Sequence, residues 1–194
     1  MKKCILCNLD YSKLENTIIE ETDNFKIVPA VGSFVDGYLL IVSKRHVYSM
    51  VDLNDAEKKE YKKLIEKYRN KFNEIYGKYP IVFEHGTPIV HSKKKASSIV
   101  HAHTHIINYN FYDNEKIIDY MNFNKIRDIN FINRRSNYIT YIDHFGNCYV
   151  SYDFDSTSQL MRKLVAEELG LGDEYNWKSY MFMENIISTI DKFR

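Results

Sequence analysis

Residues 101–105 read His-Ala-His-Thr-His, three of the chain's seven histidines at alternate positions, and Ile106 and Ile107 follow directly. Near neutral pH an imidazole serves as nucleophile, proton carrier or metal ligand. Alternate side chains on a strand share a face, so the spacing predicts three rings in a row, successive ones roughly 7 Å apart. Ala102, Thr104 and Ile106 would face the other side, against a covering helix or second layer. Aligned imidazoles gain nothing for packing, so the row reads as chemistry rather than as a polar surface strand.

A second group of reactive side chains opens the chain. Cys4 and Cys7 form a CxxC pair, the signature of a dithiol redox site, of half a zinc site, or of two ordinary thiols. Redox pairs follow a strand and open a helix, and no strand pattern stands before Cys4. Zinc needs two further ligands, and histidines are available. His46 lies just past an apolar strand, in the basic turn Ser43-Lys44-Arg45-His46; by itself it reads equally as a surface histidine. Residues 87–97 form a loop with three adjacent lysines, Lys93 to Lys95. Such a loop is either a solvated segment or a basic lid that meets phosphate groups.

The elements that must position these residues follow from periodicity. Phe25–Val28 is a short strand, and Tyr38–Val42, continuously apolar, a fully buried one. Asn54 or Asp52 caps a helix running to Tyr76, with Tyr61, Leu64, Ile65, Tyr68, Phe72 and Ile75 on one stripe, and Gly77 ends it. Ile81–Glu84 is a further strand leading to His85. Beyond residue 110 the pattern predicts a short helix over 115–121. Strands over 138–142 and 147–152 make a hairpin, and helices follow over 159–169 and 183–193. Cys148 and His144 in this region read as structural.

The 194 residues carry 27 basic and 26 acidic side chains, a formal charge of +1. That balance argues against an extended nucleic-acid surface. Sixteen tyrosines and eleven phenylalanines against seven glycines and three prolines read as a chain folded throughout. No apolar run is long enough to span a bilayer, and the basic start is followed by too few apolar residues for a secretory signal. Three cysteines are no disulfide framework. A cytoplasmic protein is expected.

His101-Ala102-His103-Thr104-His105-Ile106-Ile107 resembles the signature of the histidine triad (HIT) family of nucleotide hydrolases and transferases, with Thr104 a mild departure. The order of features extends the resemblance over residues 1–110: the N-terminal CxxC, a buried strand ending in Lys44-Arg45-His46, a long helix, a strand, and Ser98 three residues before the triad. The tail resembles the extension of longer bacterial members. The resemblance implies an α+β fold, an antiparallel sheet packed against a long helix, usually dimeric. Residues 1–110 would form the catalytic domain, and 111–194 a mixed α/β extension packed on it.

The same resemblance implies a phosphohydrolase acting on a nucleoside phosphoramidate or a dinucleoside polyphosphate. His103 would form a covalent nucleotidyl-histidine, His105 would contact a phosphate oxygen or the leaving group, and Ser98 would donate to the phosphoryl oxygens. Cys4, Cys7, His46 and His101 would hold a structural zinc, with no catalytic metal required. Glu84 or His85 would stand where many members have a phosphate-binding asparagine; Ser97 and Lys94 complete the expected substrate contacts. Two further departures stand out: Tyr38 follows Gly37 where many members have histidine, and Pro29-Ala30-Val31 lacks the acidic ribose-binding residue. Transfer to an acceptor other than water, and an inactive zinc-stabilised nucleotide-binding module, are the competing expectations.

Overall fold

The computed structural model describes residues 4–87, 99–154 and 157–194. Among them eight strands form one antiparallel sheet, and the chain is of the α+β class. The strands are β1 (Glu20–Glu21), β2 (Phe25–Pro29), β3 (Tyr38–Ser43), β4 (Ile81–Gly86), β5 (His103–Ile107), β6 (Asn124–Ile126), β7 (Tyr138–Ile142) and β8 (Cys148–Ser151). Their spatial order is β1-β2-β3-β5-β4-β7-β8-β6. The helices are α1 (Asp55–Tyr76), α2 (Asn114–Tyr120), α3 (Leu160–Glu168) and α4 (Met183–Phe193). No helix among the described residues is long and apolar enough to cross a membrane.

α1 begins where the sequence predicts. Asn54 accepts from the Glu57 amide while the Glu57 carboxylate accepts from the Asn54 amide, a capping box, and Gly77 ends the helix at φ +68°. Its apolar stripe, Tyr61, Leu64, Ile65, Tyr68 and Phe72, is buried against Phe25, Ile27, Leu39, Ile41, Val82 and Ile106 of the sheet. Each fully buried side chain of this size contributes roughly 1.5–3 kcal/mol, so this face carries much of the stability. Ala102, Thr104 and Ile106 point into the same layer, and the Thr104 and Tyr61 hydroxyls meet at 2.9 Å.

The opposite face of the sheet, with Leu40, Val42, Ile81, Phe83, Ile107 and Tyr141, is covered by Ile117 of α2 and by Leu160, Met161 and Val165 of α3. Residues beyond 110 therefore supply three strands at one side of the sheet and the helices on its second face. α4 packs beside α1 and the β2–β3 loop: Phe193 packs on Phe72 of α1 with ring centroids 4.7 Å apart, and Thr189 Oγ1 accepts from the Gly37 amide at 2.9 Å. The loop between β2 and β3 is thus held between the sheet and the C-terminal helices.

Candidate active site

β5 is the central support of the site, paired with β3 on one side and β4 on the other. It begins at His103, so His101 stands ahead of the strand. This corrects the expected row of three equivalent rings, because strand alternation does not govern His101. Its ring turns to the cysteines instead. His103 and His105 do share a face, their ring centroids 5.0 Å apart in an edge-on arrangement, closer than the alternation spacing.

His101 is buried and its Nε2–H donates to the Ser43 carbonyl at 2.7 Å, which leaves Nδ1 as a bare lone pair. That Nδ1 lies 3.4 Å from Cys4 Sγ, 3.3 Å from Cys7 Sγ and 3.1 Å from His46 Nδ1, and Cys7 Sγ lies 3.2 Å from His46 Nδ1. The four ligand atoms all fall within 4.8 Å of one another. Ligands at 2.0–2.3 Å from a tetrahedral ion stand about 3.3–3.8 Å apart, so this Cys₂His₂ set can hold a metal ion. The Ser43 carbonyl fixes the tautomer of one ligand from outside the cluster.

Two residues on, His103 is 9 % exposed. Its Nδ1–H donates to the His101 carbonyl at 2.6 Å. Nε2 is therefore the unprotonated nitrogen, and burial holds the ring's pKa below its usual value. A cavity opens beside it, lined by His85, Phe83, Leu40, His105, Arg162 and Trp177 among others. Its remaining walls are largely apolar and include Leu6, Leu9 and the Pro29-Ala30-Val31 segment.

His105 reaches the same cavity. Its ring stacks on Phe83, its cross-strand partner, with centroids 4.6 Å apart. Nδ1 lies 2.7 Å from the hydroxyl of Tyr38. Tyr38 is fully buried, and this ring nitrogen is the hydroxyl's acceptor among the described residues, so the hydrogen-bond network gives Tyr38 the role of donor. The remaining proton of His105 then sits on Nε2. Burial, with the nearby His103 and the Arg162 charge, drives the His105 pKa well below normal and keeps the ring neutral.

Glu84 does not reach the cavity, contrary to its expected substrate contact. Alternation along β4 turns it to the α1 side, where its carboxylate accepts from the Met50 amide at 2.6 Å and from the Tyr138 hydroxyl at 2.6 Å. His85, next along the strand, lines the cavity. Its Nε2 is buried without a partner among the described residues, and burial followed by the neighbouring His103 lowers its pKa to about 4. Ser97, Ser98 and Lys94 lie outside the described residues.

The C-terminal residues bring side chains that sequence reasoning missed. Arg162 of α3 is 3 % exposed; it donates from Nε to the Tyr175 carbonyl at 2.9 Å and from Nη2 to the Gly32 carbonyl at 2.6 Å. Its guanidinium lies 4.9 Å from the Phe34 ring centre and 5.1 Å from that of Tyr38. Gly32, at φ +74°, permits this approach, since a Cβ there would fall 2.7 Å from Trp177 Cα and 2.9 Å from Arg162 Nη2. Arg162 and Lys163 stand side by side among the apolar residues Leu160, Met161, Leu164 and Val165, and nothing in the sequence marks which of the two is buried.

No protein-family model matches the chain, and no curated protein matches it. Solved structures similar to it include a zinc-bound histidine triad family protein from Mycobacterium smegmatis, 16% identical over 58% of this chain and 78% of that one, TM-score 0.47. A hypothetical histidine triad nucleotide-binding protein from Sulfolobus tokodaii is 20% identical over 54% of this chain and 67% of that one, TM-score 0.43. A HIT family hydrolase from Clostridium thermocellum is 16% identical over 58% of this chain and 96% of that one, TM-score 0.42.

Proposed function

We propose that the chain is a nucleotide-binding phosphohydrolase of histidine triad type, acting through a covalent nucleotidyl-histidine on His103. The observation that carries this reading is the pairing of His103 Nδ1–H with the His101 carbonyl at 2.6 Å, which leaves Nε2 bare beside a cavity. An imidazole whose other nitrogen is held by a carbonyl is a ready nucleophile.

In the first step His103 Nε2 attacks the α-phosphorus. A P–N bond forms as the bond from phosphorus to the leaving group breaks. The product ring is an imidazolium, and its Nδ1–H remains bonded to the His101 carbonyl, a stronger contact once the ring is charged. His105 donates from Nε2 to a phosphoryl oxygen or to the leaving group, where negative charge develops. Ser98 is the expected further donor to the phosphoryl oxygens. Water then attacks phosphorus, the P–N bond breaks, a proton passes to solvent and His103 returns to its starting form.

Cys4, Cys7, His46 and His101 would hold a structural zinc. Through it these residues would tie the first part of the chain to the segment before β5, with His101 anchored two residues from the nucleophile. The expected substrate is a nucleoside phosphoramidate or a dinucleoside polyphosphate, and the expected assembly a homodimer.

The test is mass spectrometry of the protein quenched after incubation with a panel of such nucleotides. A nucleotidyl adduct on the His103 peptide is expected. His103→Ala should carry no adduct and lose turnover by more than roughly 10⁴-fold, with the fold and metal content unchanged. Normal turnover in that variant ends the reading.

A further inference from the structure

We infer that Arg162, delivered by α3 from the C-terminal part of the chain, is the cation on which the substrate's phosphate rests in the histidine cavity. The inference deepens the proposed function by assigning a phosphate-binding role to a residue outside the triad segment, and it rests on that reading for the identity of the bound group.

Arg162 is 3 % exposed, and among the described residues no carboxylate pairs with it. A guanidinium has five N–H donors in a planar fork; the Gly32 and Tyr175 carbonyls take Nε and one hydrogen of Nη2, and the Tyr38 hydroxyl takes one more, which leaves two. Burying a cation without a counter-charge is unfavourable. A chain that needed only a clamp between the β2–β3 loop and α3 would do as well with a neutral amide donor. The side chain instead lines the cavity, on the same wall as His105.

Among the described residues the other polar groups there do not neutralise it. His85 and His105 are held uncharged by burial, and the remaining lining is mainly apolar. Among the described residues the site therefore presents one fixed positive charge, with spare donors, among neutral rings. That arrangement selects an anion with several acceptor oxygens, and the fork geometry of arginine matches phosphate. Phe34 and Tyr38, whose rings flank the guanidinium, restrict its orientation. Tyr38 also joins it to His105, so phosphate binding and the orientation of the triad's last ring share one network.

The experiment uses Trp177, the chain's single tryptophan, which lines the cavity and serves as an intrinsic fluorescence reporter. Wild type, Arg162→Gln and Arg162→Lys are titrated with inorganic phosphate, with AMP and with adenosine, and each variant's fold is checked by circular dichroism. Phosphate and AMP should bind wild type saturably. Arg162→Gln should weaken both at least tenfold while leaving adenosine affinity unchanged. Arg162→Lys, which keeps the charge but not the fork, should weaken AMP less than the glutamine variant does, again sparing adenosine.

If Arg162→Gln fails to fold, the lysine variant alone decides: selective weakening of AMP over adenosine supports the inference, and equal or no weakening overturns it. Wild type that binds no phosphate, or a folded glutamine variant with unchanged AMP affinity, also overturns it. The two readings fail separately. Absence of a His103 adduct with intact, Arg162-dependent phosphate binding defeats only the proposed chemistry; an adduct with Arg162-independent binding defeats only this inference.

Discussion

The Tyr38 hydroxyl donates to Nδ1 of His105 across 2.7 Å, from a position that the resemblance would fill with histidine. β3 pairs Leu40 with His105, so Tyr38, two residues away on β3, shares its face and approaches it diagonally. The tyrosine thereby sets which nitrogen of His105 carries the proton, the one that would meet the substrate under the proposed function. Tyr38→Phe removes that donor and frees the ring to take its other tautomer. kcat should fall about tenfold or more with KM little changed, and the stability cost should be about 1–3 kcal/mol, from a buried nitrogen left without its partner. Steady-state kinetics paired with urea unfolding measures both.

Glu84 gives the folded chain a pH signature. Burial, only partly offset by the Tyr138 and Met50 hydrogen bonds, pushes its pKa up from 4.5 to about 7. Between those values the folded state holds a proton that the unfolded state has released. The associated stability is therefore complete below about pH 4.5 and is lost as pH rises through about 7. Its size is on the order of 3 kcal/mol. Glu84→Gln should flatten this component of the slope in urea unfolding run across that range; an unchanged slope rejects the assignment.

The Cys₂His₂ cluster should govern metal content and stability together. Wild type should purify with about one zinc per chain, and Cys7→Ser should lose most of it and melt several degrees lower, because a structural ion contributes to folding directly. Elemental analysis beside a thermal melt checks this. A variant that loses zinc without any shift in melting would remove the structural role.

Gly86 faces Tyr138 across β4 and β7, and a Cβ at this position would lie 2.1 Å from the ring carbon Cζ. Tyr138 is fully buried and cannot retreat. Gly86→Ala should cost roughly 1–3 kcal/mol. Tyr138 is also the donor to Glu84, so the effect should be non-additive with Glu84→Gln. A double-mutant cycle in urea provides the measurement.

Periodicity and caps made most of the elements legible. Asn54 with Glu57, the stripe from Tyr61 to Phe72 and the closing Gly77 define α1 from local chemistry, and the alternation of 138–142 and 148–151 defines a hairpin without reference to its neighbours. The sequence by itself also determined that Cys4 and Cys7 form a CxxC pair, and that Ala102, Thr104 and Ile106 face away from His103. Each of these depends on residues close together in the chain.

Only the tertiary structure decided which face of β4 meets the cavity, and hence that His85 rather than Glu84 lines it. That choice depends on where α1 packs, which no local pattern reports. It also decided that His101 leaves the strand, through the pairing of Ala102 with Val47 and of its own ring with Ser43. Arg162 and Trp177 reach the histidines only because residues beyond 110 fold back over the sheet and Gly32 leaves room for them. A side chain some sixty residues downstream of the triad carries no mark in the sequence of the cavity it will enter. Contact across that distance is created by burial of apolar surface, which is non-directional and becomes specific only when the whole chain is packed.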